Sequence, residues 1–200
     1  MKRALAPEGR SGLDATTYMV PVGYMAKRVC QNPDWLKAGD VTHIYPFSGC
    51  ISKEFDDYID YWKHNGYWFF NSPKIIEDLS RTNAISLEGA SLFYYEAYEM
   101  EFDGEHWHPY APEPSFETHV VAPDNKQLEG FDVVTFSRRT SPECSPLSCN
   151  YLANELPTNA RCLFASFDDA KTRLEKGVFN NSEPGPYRIF AVYSVDWAHK

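Results

Sequence analysis

A thiol, an imidazole and a carboxylate set the chemistry that this sequence offers. Cys149 lies in Thr140 to Asn150, TSPECSPLSCN, a run dense in Cys, Ser and Pro that follows a strand-like stretch. Irregular segments on a rigid scaffold often carry function. If Ser148-Cys149-Asn150 opens a helix, the dipole lowers the thiol pKa and favours thiolate, the nucleophilic form. Such a thiol needs a base within hydrogen-bond reach, and His43, in the short run VTHIY, is the histidine nominated for it. The bland alternative is a small buried residue at a tight turn, since free cysteines are often buried for packing alone.

Glu96 is the third candidate. In LFYYEAYEMEF, alternation places Leu92, Tyr94, Glu96, Tyr98, Met100 and Phe102 on one strand face. A carboxylate among apolar and aromatic neighbours must be paired, hydrogen-bonded or shifted in pKa. It is either a functional group or a structural one held by a tyrosine hydroxyl, Arg138 or Arg139. The pair Arg138-Arg139 can hold a carboxylate or phosphate by bidentate contact. With Ser148, Asn150 and Tyr45 it makes the expected ligand-binding set. Asp40 and Asp132 read as turn-forming residues rather than an acid/base pair.

Metal chemistry is the weaker reading. Cys144, Cys149 and Cys162, with His106 and His108, supply soft ligands, but Cys144-x4-Cys149 is wider than a zinc knuckle requires. DGEHWHPY reads instead as an exposed hairpin tip whose Trp107 packs inward. No metal and no cofactor is expected. There is no GxGxxG, no GxxxxGK[ST], no GxSxG and no HExxH in the chain. This argues against phosphate-loop nucleotide binding, α/β-hydrolase chemistry and zincin chemistry.

The elements that position these residues follow from periodicity. Residues 1–17 form a loose arm. Two units follow, over 18–103 and 128–198, joined by a Pro-rich hairpin and linker over 104–127, all in one compact domain. In each, an aromatic strand runs into a capped helix and then a long closing strand. Phe70-Asn71-Ser72 matches Phe164-Ala165-Ser166, Tyr98 is set on Tyr193, and LKAGDVTHI (36–44) is set on LEGFDVVTF (128–136). A helix over 51–64 carries the stripe Ile51, Phe55, Tyr58, Ile59 and Trp62, and Cys50 at its start falls near Cys149. The expected fold is α+β or α/β: duplicated β-α-β-α-β units about a pseudo-twofold axis, with a cleft where they meet. Ligands favour such interfaces.

Composition bounds the function. The hydrophobic share of 43%, with 16% aromatic residues, suffices for a sizeable core. A formal charge of -9 argues against a nucleic-acid partner; it can attract a basic protein, although such a balance more often just keeps a chain soluble, and a small-molecule ligand is the other expected partner. No apolar run suits a signal peptide or membrane helix, and five cysteines do not make a complete disulfide framework. A soluble, cytoplasmic chain, monomer or homodimer, is the expectation. The first reading is a non-catalytic binding or interaction module with an acidic, aromatic-rich surface, of the inhibitor or immunity type. The second is an enzyme with Cys149 as nucleophile and His43 as base. The order His43, Gly66-Tyr67, a helix, then a strand with Glu96 resembles ADP-ribosyltransferases, which use a His/Tyr/Glu set on successive strands. That resemblance implies transferase chemistry as a further alternative.

Overall fold

Tyrosine, phenylalanine and β-branched residues favour a pleated, packed surface, and the two richest runs of them form the centre of the sheet. A computed structural model describes residues 19–47, 65, 67, 69–83, 86–111, 119–135 and 144–197. Its strands are β1 (Met19–Lys27), β2 (Cys30–Gln31), β3 (His43–Ile44), β4 (Ser91–Tyr98), β5 (Met100–Phe102), β6 (Trp107–Pro109), β7 (Lys126–Thr135) and β8 (Tyr187–Val195). The helices are α1 (Pro73–Asn83), α2 (Pro146–Cys149) and α3 (Phe167–Glu175), with a 3-10 turn at Leu152–Asn154. The architecture is α+β, with few helices.

Every strand pair in the main sheet is antiparallel. β1 pairs β4, β4 pairs β8, and β7 pairs β8 along nearly its whole length. β5 meets β8 at Phe102 and carries β6 as a hairpin. β2 and β3 form a separate two-stranded ribbon. Pro21 lies on β1, at the sheet edge, where its missing N–H costs no ladder bond. The long closing run expected over 92–102 breaks at Glu99 into β4 and β5.

One face of the sheet carries Phe93, Tyr95 and Phe190, against which Phe47 and Phe69 pack. The Phe69 ring lies 4.8 Å from Tyr95 and 5.8 Å from Phe190, and Phe47 lies 5.1 Å from Phe69. The other face carries Tyr24, Tyr94, Glu96 and Tyr193. On that side Phe167 of α3 meets Tyr98 and Phe131, at 4.9 and 6.2 Å. Ser166 caps α3 by accepting from the Asp169 N–H at 3.2 Å, and Asp168 and Asp169 suit the positive end of the dipole.

Two glycines fix the register of the outer strands. Gly23 in β1 has φ +133°, and a Cβ there would stand 2.6 Å from Phe69 Cβ and from Phe70 O. Gly130 in β7 has φ +147°, with Phe164 O at 2.7 Å and Leu163 Cβ at 2.8 Å from a built Cβ. Each sits at a register shift in its strand, and each neighbouring residue, Tyr24 or Phe131, exchanges backbone bonds with Phe70 or Phe164. An asparagine clamps each junction. Asn65 donates to Val22 O and accepts from the Tyr67 and Phe69 N–H groups. Asn159 donates to Glu129 O and accepts from those of Arg161 and Leu163.

Some expectations change. Residues 36–42 are irregular, with a turn at Gly39-Asp40, so 36–44 is not the strand that 128–136 was matched to; only His43–Ile44 is extended. Among the described residues of the run at 67–71, Phe70 makes a bridge to Tyr24 in place of a strand. The expected arm over 1–17, the helix over 51–64, Cys50 and Arg138-Arg139 lie outside the described residues. No helix among the described residues is long and apolar enough to cross a membrane.

Candidate functional site

The sheet brings Glu96 to the middle of its second face, where β4 and β8 pair. Its carboxylate accepts from the hydroxyls of Tyr94 and Tyr193, at 3.1 and 2.9 Å, and pairs with the Lys126 ammonium. The Glu96 side chain is 13% exposed and Lys126 26%. The same ammonium lies 4.4 Å from the Tyr193 ring centroid and 4.9 Å from that of Tyr94, an attraction to both π faces. Tyr24 adds a third ring 5.2 Å from Tyr94 and donates to Val121 O at 2.6 Å. Burial, then the adjacent carboxylate, pushes the Tyr94 and Tyr193 phenols well above the ordinary tyrosine range. They remain donors at any physiological pH.

His43 stands elsewhere. Its Nδ1 lies 3.0 Å from Arg161 Nη1 and 2.8 Å from Thr42 Oγ1. The guanidinium spans to Glu129 at 3.4 Å and lies 5.0 Å from the Tyr45 ring. Since Arg161 can only donate, the Nδ1 lone pair is spent on it. Tyr45 packs edge-on against Phe93 at 5.0 Å, and burial raises its phenol pKa.

Cys149 is half-buried at the last position of α2, not the first. Its N–H donates to Ser145 O at 2.8 Å. The helix of four residues starts at Pro146, so its positive end faces away from the thiol, and the dipole argument for thiolate does not apply. Ser148 is buried with its hydroxyl donating to Ser145 O at 3.2 Å, and Asn150 follows as the C-cap. His106 and His108 sit on the β5–β6 hairpin, with rings 6.4 Å apart. There the N–H groups of His106 and Glu105, and then the His108 ring, hold the Asp103 carboxyl well below the usual range. Trp107 packs on Phe102 at 5.0 Å. Among the described residues no three His, Cys, Asp or Glu side chains gather.

Two further groups went unseen in the sequence. Asp132 is inside β7, not in a turn, and is fully buried, accepting from Ser145 Oγ and the Phe47 N–H, each at 2.6 Å. Lys27, also buried, donates to Pro46 O at 2.9 Å and to Tyr45 O. Burial pushes the Asp132 carboxyl up to about 7 against the pull of those donors and Lys27. Burial, then the neighbouring Asp132 carboxylate, pushes the Cys162 thiol up to about 12.

The second is a cleft of about 360 Å³. Tyr67, Tyr110, Met100, Pro109 and Val20 supply its walls, and Glu99 and Arg188 its charges. Arg188, in the apolar run of β8, has no exposed surface. Its guanidinium stacks 3.7 Å from the Tyr110 centroid and donates to Tyr98 O at 3.0 Å. Burial pulls its pKa down to about 10, with Tyr110, Tyr67 and the buried Glu101 holding it up. Glu99, by contrast, is exposed. The sequence did hold a signal, because an arginine within YRIFAVY must be compensated once that strand is buried.

Neither a protein-family model, nor a curated protein, nor a solved structure matches this chain.

Proposed function

We propose that this protein is a non-catalytic binding module that docks a basic protein. One observation carries the reading: the nominated catalytic groups are engaged in the fold itself, whereas the cleft beside β5 presents open aromatic walls and a reachable carboxylate. Glu96 is neutralised by Lys126, His43 is turned to Arg161, and Cys149 lies at the wrong end of its helix. His43, Tyr67 and Glu96, the set matched to ADP-ribosyltransferases, make their contacts in three different clusters. Rigid aromatic side chains give contact area at low entropy cost, and a charge of -9 steers basic partners toward the surface.

An internal duplication is part of the proposal, in a register set by the sheet. Gly23 corresponds to Gly130, Asn65 to Asn159, Phe70 to Phe164 and Ser72 to Ser166. Gly23 stands opposite Tyr95 and Gly130 opposite Val192, so the closing strands are offset by 192 − 95 = 97. That offset carries the pair Tyr94–Tyr193 onto Ala191–Glu96, which is itself a pair in the β4–β8 ladder. A twofold operation requires this. Glu96 then lies at the junction of the halves as their structural link.

The test joins two measurements. Interferometry of the intact protein against a panel of basic proteins, with acidic proteins as controls, is expected to give saturable binding to a basic member that weakens with salt. Native alkylation by iodoacetamide between pH 6 and 9 is expected to leave Cys149 no faster than an ordinary thiol. Binding to no basic protein, or a fast Cys149 with a depressed pKa, would overturn the reading.

A further inference from the structure

The charges of the cleft are unequal in reach. Arg188 forms its floor, stacked behind Tyr110 and fully buried, with Glu101, only 7% exposed, as a nearby opposite charge. With no exposed surface, the Arg188 guanidinium is out of an anionic ligand's reach unless a neighbouring side chain moves. Glu99, exposed at the edge, is the charge a visitor meets first. Among the described residues, Glu99 and Glu101 against Arg188 leave a local balance of one negative charge.

The walls then define the visitor's shape. Val20, Met100 and Pro109 offer apolar surface, and Tyr67 and Tyr110, with rings 5.7 Å apart and already 5.4 and 3.7 Å from the Arg188 guanidinium, add aromatic surface. An apolar stem ending in a cation matches this order, since lysine and arginine lay their methylenes on apolar surface and keep the charged head at a polar edge. A volume of about 360 Å³ lies at the small end for ligand pockets and suits a single side chain. The fold places cations on aromatic faces in several other places, among them Lys126 on Tyr193 and Arg161 on Tyr45.

We propose that this cleft captures one arginine or lysine side chain of the basic partner, its head group paired with Glu99 and its stem laid against Met100, Pro109 and the two tyrosines. This rests on the reading of the protein as a module for a basic partner, and it names the contact.

The test is an NMR titration of the full chain, 15N-labelled, with N-acetyl-arginine amide and N-acetyl-lysine amide as probes. N-acetyl-norleucine amide supplies the stem without the charge, and N-acetyl-aspartate amide the opposite charge. The expected result is saturable shifts at the Val20, Met100 and Tyr110 amides with a cationic probe. Glu99→Gln, an exposed change that leaves the fold intact, should weaken that binding about fivefold, the worth of one solvent-accessible ion pair. Norleucine amide binding as tightly as the cations, aspartate amide binding instead, no shifts at the cleft, or an unchanged affinity in Glu99→Gln would each overturn the assignment. The two readings separate cleanly. A basic protein bound equally by wild type and Glu99→Gln sinks the cleft and spares the module. Cationic probes seated in the cleft with no basic protein bound sink the module and leave the cleft standing.

Discussion

Removing the Glu96 carboxylate decides between a structural and a functional role for it. In Glu96→Ala the Tyr94 hydroxyl, on a residue with no exposed surface, loses its acceptor, and the Tyr193 hydroxyl loses one at 2.9 Å. Hydrogen bonds to a charged group contribute about 1.5–3 kcal/mol each, and a stranded buried donor costs about 1–3 kcal/mol. The Lys126 contribution is discounted to about 0–1 kcal/mol, because that side chain is 26% exposed and water screens it. Non-additivity within one cluster lowers the total, leaving an expected loss of about 3–4 kcal/mol. Glu96→Gln keeps an acceptor oxygen but turns an amide donor toward groups that already donate, and should cost about 1–2 kcal/mol. Tyr193→Phe should cost about 1 kcal/mol, and combining it with Glu96→Gln should cost less than the two changes separately. Urea unfolding at pH 7, followed by far-UV circular dichroism, reads all four variants. A Glu96→Ala protein as stable as wild type, or more stable, would refute the reasoning. Extra stability on removing a group is what a functional site shows, and Glu96 would return as a catalytic candidate.

Gly23→Ala and Gly130→Ala should each destabilise by roughly 3 kcal/mol or more, since both combine a left-handed φ with a Cβ under 3 Å from backbone oxygen. Gly39→Ala, where a Cβ meets nothing within 4 Å, should stay within about 0.5 kcal/mol of wild type in the same urea unfolding; a tolerated Gly130→Ala would count against the bulge. The Asp132 carboxyl gives a pH dependence of definite sign. Its folded pKa is raised by burial from 3.8 to about 7, so the folded state holds the proton more tightly than the unfolded one. The contribution is complete below about pH 4 and is lost as the pH rises to about 7. Urea midpoints should therefore fall more steeply between pH 5 and 8 in wild type than in Asp132→Asn, and equal slopes would show that Asp132 does not titrate in that range.

Local patterns in the chain determined much of its architecture. Pro73 takes the first position of α1 and Ser166 caps α3, because helix starts are settled within one turn. The aromatic runs at 91–98 and 187–195 became β4 and β8, since both can bury both faces. Alternation put Glu96 on an aromatic face, where it is held by Tyr94 and Tyr193. Phe70 and Phe164, each in an apolar run, form bridges to the outer strands β1 and β7. What tertiary structure decided was partnership. β1 pairs β4 and β7 pairs β8, whereas the segment 36–44, whose Asp-Val resembles Asp132-Val133, is irregular up to Thr42 and contributes His43–Ile44 to the separate β2–β3 ribbon. Cys149 took the far end of its helix because Pro146 starts it. Lys126 reaches Glu96, Arg188 reaches Tyr110, and Asp132 meets the Phe47 N–H only through strand pairing and chain return, across separations of 30, 78 and 85 residues. Local sequence fixes which face a side chain takes, whereas the group it meets there is chosen by the sheet.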